Sequence, residues 1–235
     1  MILALLIAAG AAPAATAQPP ARLHVPKAVR DARAGGEGEE VLPLSPFAAP
    51  EVLAALGPPR ALVGSWAEYA VRTRGQDDTR IKVSILPPAL DGGRYWLEVD
   101  LAPQSGAPTA IRVLVHGDPA RPKDIERATL YVVGQAALEL PLDQVEETRE
   151  QLEPAPRTAA APIRKRKPES VRTAAGPFDH AEVLEVADTR LWRSGKVPLW
   201  GLVRSKSRTQ TVELIGYATA GAHSLVQGNG SESEK

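Results

Sequence analysis

The side chains able to carry acid–base or nucleophilic chemistry are few and poorly spaced for it. Four histidines, His24, His116, His180 and His223, are the groups whose ordinary titration falls near neutrality. None stands in an H-E-x-x-H or comparable metal-ligand spacing. His116-Gly117-Asp118 and Asp179-His180 bring a carboxylate close in sequence, but a catalytic base must be aimed at a nucleophile and held by a third group. Neighbouring residues of a regular strand point to opposite faces. Asp179 and His180 therefore do not cooperate on a regular strand, and His180 reads as a half-buried or edge histidine. No G-x-S-x-G elbow is present. The chain has no cysteine, which removes thiol nucleophiles, thiolate metal sites, disulfides and lipid attachment at an N-terminal cysteine. Gly35-Gly36 and Gly92-Gly93 lack the strand-to-helix setting and the Lys-Ser/Thr ending of a phosphate loop. The expectation is a non-enzyme with no catalytic residue, no metal ligand and no cofactor.

Two other residue sets could recognise a partner. Arg164-Lys165-Arg166-Lys167 is a block of four cations in a Pro-rich stretch. Such a block can bind phosphate or nucleic acid, but it more commonly marks a solvated loop, which is the reading adopted. Trp66, Trp96, Trp192 and Trp200 lie in or beside strand-like segments. Core packing and contact with an apolar ligand account for them equally well on sequence, since large aromatics bury about 150–250 Å² either way.

The elements that must position these residues are read from composition and periodicity. The 235 residues carry 28 Lys plus Arg and 28 Asp plus Glu, so no global field draws the chain to nucleic acid or an anionic membrane. Aromatics make up 4 %, against 22 prolines and 19 glycines, a balance that suits short strands separated by turns. Met1 to Ala17 reads as a signal peptide ending in Ala15-Thr16-Ala17, too short and too interrupted by Pro13 to span a bilayer. Cleavage near Ala17 would deliver the chain to the periplasm or the exterior. Residues 18–45 read as a disordered leader, 46–222 as a single β-rich domain with a basic Pro-rich insertion at 154–169, and 223–235 as a polar tail.

Within the domain, Pro50 to Leu56 predicts a short helix stopped by Gly57-Pro58-Pro59. Period-two alternation then predicts strands at Trp66–Arg72, Arg80–Ile85, Arg94–Leu101, Ile111–Val115 and Ala128–Val133. Asp91-Gly92-Gly93 forms a turn before the third. Five strands joined by short turns, with no long helix between them, make an antiparallel meander. Asp143-Gln144-Val145-Glu146 fits a capping box for a second short helix, reaching about Leu152. Strands resume at Val171–Ala174, Phe178–Val186, Thr189–Arg193, Leu199–Ser205 and Thr209–Tyr217.

The segment Trp192-Arg193-Ser194-Gly195-Lys196-Val197-Pro198-Leu199-Trp200-Gly201-Leu202-Val203, with Val212 to Ala218, Gly221-Ala222 and Thr173-Ala174-Ala175-Gly176-Pro177-Phe178, resembles the C-terminal strands of bacterial envelope proteins related to the lipoprotein-sorting carrier, the LolA-like superfamily. The resemblance spans about residues 60 to 222 and is sharp over about fifty of them. It implies a mainly β, α+β fold: one curved antiparallel sheet of around ten strands forming an unclosed half-barrel over one or two short helices. It further implies an apolar concave face able to hold an acyl chain, a lipid or a lipoprotein. Tyr95, Leu97, Val99, Val113, Leu130 and Trp200 are the candidate cavity-lining residues. The alternative is a structural or protein-interaction component of the envelope, with the sheet filled by its own side chains and a protein docked elsewhere. Neither reading involves nucleic acid or a transmembrane span in the mature chain.

Overall fold

The computed structural model describes residues 52, 55–87, 91–104, 107–119, 122–140, 142 and 162–224. The expected signal peptide, the leader, residues 154–161 of the basic insertion and the capping-box helix fall outside the described residues. Among the described residues eleven strands form one antiparallel sheet. They are β1 (Trp66–Thr73), β2 (Thr79–Leu86), β3 (Arg94–Pro103), β4 (Thr109–His116), β5 (Ile125–Val132), β6 (Leu138–Glu139), β7 (Arg164–Thr173), β8 (Gly176–Val186), β9 (Thr189–Arg193), β10 (Leu202–Lys206) and β11 (Gln210–Ala218). Their order is β6-β5-β4-β3-β2-β1-β11-β10-β9-β8-β7. The first and last strands meet in the middle of the sheet, while β6 and β7, consecutive in the chain, are its two edges. The sheet is not closed. No helix among the described residues is long and apolar enough to cross a membrane.

Alternation decides which face is buried. Tyr69 of β1 stands opposite Ile81 of β2 and Leu214 of β11. Ile81 and Val83 continue to Leu101 and Val99 of β3, and Val99 to Ile111 of β4 and Leu130 of β5. All are buried in one apolar cluster, which Val52 and Leu56 of the short N-terminal helix also join. Each fully buried aliphatic side chain contributes on the order of 1.5–3 kcal/mol, so the face acts as the main source of stability.

Two expectations are corrected. The basic run is not a loop: Arg164 to Arg166 pair with Glu185, Leu184 and Val183 of β8, so the run opens the edge strand β7. An edge strand buries little, and its pairing needs only backbone groups, so charged side chains do not prevent it. The strand expected at Leu199–Ser205 begins only at Leu202, because residues 194–201 form a turn. There Gly201 has φ of 72° and a Cβ on it would lie 2.9 Å from the Ser194 carbonyl oxygen, while Ser194 N donates to Gly201 O at 2.8 Å. The glycine of the V-P-x-x-G pattern is thus a steric requirement. Leu199 is held at φ of 59° in the same turn, bridged to Arg60.

Candidate functional site

The six candidate lining residues all lie in the apolar cluster. Five of them share neighbouring strands: Tyr95, Leu97 and Val99 on β3, Val113 opposite Leu97 on β4, and Leu130 on β5 opposite Ile111. Trp200 belongs to the turn between β9 and β10 instead. None is open to solvent; exposure runs from 1 % at Val99 to 8 % at Trp200. Tyr95 Oη donates to the Gly117 carbonyl at 3.0 Å. Burial, with Asp118 and Asp124 adding repulsion, pushes its phenol up to about 12. It is therefore a neutral donor at any physiological pH.

The opposite face of β3 carries a buried charge cluster that alternation alone assigns to solvent. Glu98 is fully buried. Its Oε2 accepts from Arg112 Nε at 2.9 Å, Arg112 Nη2 at 2.8 Å and Ser224 Oγ at 2.8 Å. Ser224, counted in sequence as the start of the polar tail, therefore sits against the sheet. Among the described residues none donates a hydrogen bond to either carboxylate oxygen of Asp100, which is 4 % exposed. Burial and then Glu98 raise its carboxyl to about 7, with Lys82 and Arg112 working the other way. Arg112 also lies 5.2 Å from the Tyr131 ring, and Lys82 is 5.2 Å from that of Trp66.

A third feature occupies the β7–β10 region. The β7–β8 hairpin bends where His180 takes φ of 57° and register shifts interrupt β7 between Arg166 and Val171. Contrary to the regular strand expected, Asp179 and His180 sit at this bend, both exposed. Beyond it the hairpin tip folds back over the sheet: Phe178 packs 5.9 Å from Tyr217, and Arg204 Nη2 donates to the Arg172 carbonyl at 2.7 Å. Glu169 accepts from Trp192 Nε1 at 3.0 Å and from the Arg190 guanidinium, which stacks 5.1 Å from the Trp192 ring. Here lies a shallow groove of about 550 Å³ lined by Asp188, Arg190, Trp192, Arg204, Lys206 and Arg208 among others. A smaller groove of about 390 Å³ is bordered by Arg60, Leu62, Lys196 and Pro198. The cation run Arg164–Lys167 lines neither groove, and of the residues singled out in sequence as possible contacts Trp192 alone borders one. Among the described residues no group of three or more His, Asp or Glu side chains is placed to hold a metal.

No protein-family profile matches the chain. No curated protein matches it either. Among solved structures, it is similar to MucB in its complex with MucA(peri), at 13 % identity and a TM-score of 0.37, over 67 % of this chain and 51 % of that one. The chain thus spans about half the length of that MucB. It is also similar to a protein from Bacteroides fragilis described as exported and of YmcC-like fold, at 11 % identity and a TM-score of 0.31, over 68 % and 97 % of the two chains. A protein from Parabacteroides distasonis described as a lipoprotein matches at 10 % identity and a TM-score of 0.33, over 69 % and 100 %. These are distant likenesses.

Proposed function

We propose that the chain is an exported, non-catalytic binding module of the bacterial cell envelope that works through protein contacts on the outside of a filled sheet. The observation that carries this is the burial of the apolar face: the residues that would line an acyl site are 8 % exposed or less and belong to one packed cluster. An acyl chain would have to displace those side chains from one another, opening a cavity whose cost grows with its volume. The grooves that are open are bordered by cations, which suit a polar partner better than a hydrocarbon. The non-catalytic part of the reading rests on the sequence, which supplies no nucleophile set beside a base. Export rests on the apolar Met1–Ala17 segment.

The test is native mass spectrometry of the protein purified from a bacterial envelope, paired with titration by a fluorescent fatty acid. The bare polypeptide mass and no saturable uptake are expected. A stoichiometric lipid or acylated peptide, displaced by unlabelled fatty acid, would overturn the filled-sheet reading and establish the carrier one.

A further inference from the structure

The four cations that open β7 sit on an edge of the sheet with no strand on their outer side among the described residues. Alternation places Arg164 and Arg166 toward one face and Lys165 and Lys167 toward the other, so both faces of this edge are cationic. Two of the four are engaged: Arg166 with Glu185 at 2.6 Å and Lys165 with Glu182 at 3.2 Å. Arg164 stands opposite Glu185 and helps to hold its carboxyl low without a close ion pair, and Lys167 has no ion pair among the described residues. The positive field continues inward on the Arg164 face, where the cross-strand row runs Arg164, Glu185, Arg190, Lys206 over β7 to β10.

We infer that the open edge of β7 at Arg164–Lys167 takes an acidic, extended polypeptide segment as an added strand, its carboxylates meeting Arg164 and Lys167. This rests on the protein-contact reading above and names the chemistry of the partner. Strand addition uses the unpaired backbone groups for affinity and the alternating side chains for specificity. A second copy of this chain is disfavoured, because two such edges would set cation against cation at cross-strand distance, about 5 Å. A phosphate headgroup would satisfy the cations but leave the backbone row unused. Cations and proline on an edge also guard it against indiscriminate pairing. Pro168, lacking an N–H, limits the ladder to the residues before it, and the charges select for an acidic complement by rejecting others. The surrounding positive row would steer such a segment inward and make its association fall with salt.

The probe is a fluorescein-labelled octapeptide alternating Glu and Thr, titrated against the full chain by anisotropy. Three comparisons run beside it: a Lys-Thr counterpart, a Glu-Thr peptide N-methylated at alternate residues, and phosphatidylglycerol vesicles. Saturable binding of the Glu-Thr peptide is expected. The pair Arg164→Glu and Lys167→Glu should weaken it at least tenfold and let the Lys-Thr peptide bind, and N-methylation should cost a similar factor by blocking the ladder. The milder pair Arg164→Gln and Lys167→Gln serves if charge reversal disturbs the melting transition. Binding unchanged by either pair, equal binding of the N-methylated peptide, or capture of vesicles but not peptide would each overturn the inference. Those failures leave the protein-contact reading standing with another surface, whereas only fatty-acid uptake removes that reading itself.

Discussion

The two arms of the sheet, β1–β6 and β7–β11, are built from the same kind of strand but differ in regularity and charge. The first is a meander with a single register shift, at Leu114/Val115, and carries 9 Lys or Arg against 10 Asp or Glu over residues 66–139. The second has shifts in β7 and β10, holds the three non-glycine residues of positive φ found among the described residues, and carries 11 Lys or Arg against 6 Asp or Glu over residues 164–218. Its β7–β8 hairpin is pinned by side-chain contacts, Arg204 to the Arg172 carbonyl and Trp192 to the Glu169 carboxylate, rather than by ladder pairing alone. The regular arm hides its unusual charges, and the irregular arm displays them. Stability is thus concentrated where the pattern is simplest, and the recognition proposed above falls where the backbone departs from it.

Substitutions that strike one arm and spare the other sharpen this contrast. The largest effect is expected from Arg112→Ala, which strips the buried Glu98 carboxylate of its counter-charge; a loss of about 3–5 kcal/mol should appear in urea unfolding at pH 7. A loss below 1 kcal/mol would show that Glu98 is not held as described.

Asp100→Asn comes next and acts in the opposite direction. The carboxyl of Asp100 titrates higher folded, at about 7, than unfolded, near 3.8. The folded state therefore binds more protons between those values, and stability falls as pH rises from 4 to 7. The Asn variant lacks that slope and should exceed the parent by on the order of 3 kcal/mol at pH 7.5 while matching it near pH 4. Parallel stability–pH curves for the two proteins would refute the assignment.

In the irregular arm the changes are small. Ala187→Gly relieves a left-handed residue in the β8–β9 turn and should raise the melting temperature slightly, by the equivalent of about 0.5–1 kcal/mol. A comparable gain is expected for exposed His180→Gly. If either change unfolded the protein, the division of labour between the arms would be wrong.

How much of this was legible follows from what each residue's neighbours in sequence report. Arg80 to Ile85 and Arg94 to Leu101 alternate cleanly, and both became strands facing the core as expected. Asp91-Gly92-Gly93 formed its turn with Gly92 and Gly93 at φ of 69° and 76°. The edge role of Arg164–Lys167 was not legible, because pairing with β8 leaves no apolar periodicity in a strand exposed on both faces. Nor could Glu98 be recognised as buried: its hydrogen-bond partner Ser224 lies 126 residues away. For the candidate lining, alternation put Tyr95, Leu97, Val99, Val113 and Leu130 on one apolar face, and in the structure they lie buried together on β3–β5. Whether that face is open depends on curvature and cover, which period two does not encode.

The meeting of β1 and β11 at the centre of the sheet also has a temporal side. A chain delivered N-terminus first can zip β1 to β5 hairpin by hairpin, since each pairs with its successor. Yet β1 keeps a bare edge until Gln210–Ala218 has arrived, so the slow, long-range closure waits for the eleventh strand. Under the export proposed above, that delay would keep the sheet from closing before β11 has followed β1 across. Ending the chain after Arg208 should leave that edge permanently bare, with aggregation visible by light scattering where the intact chain stays clear.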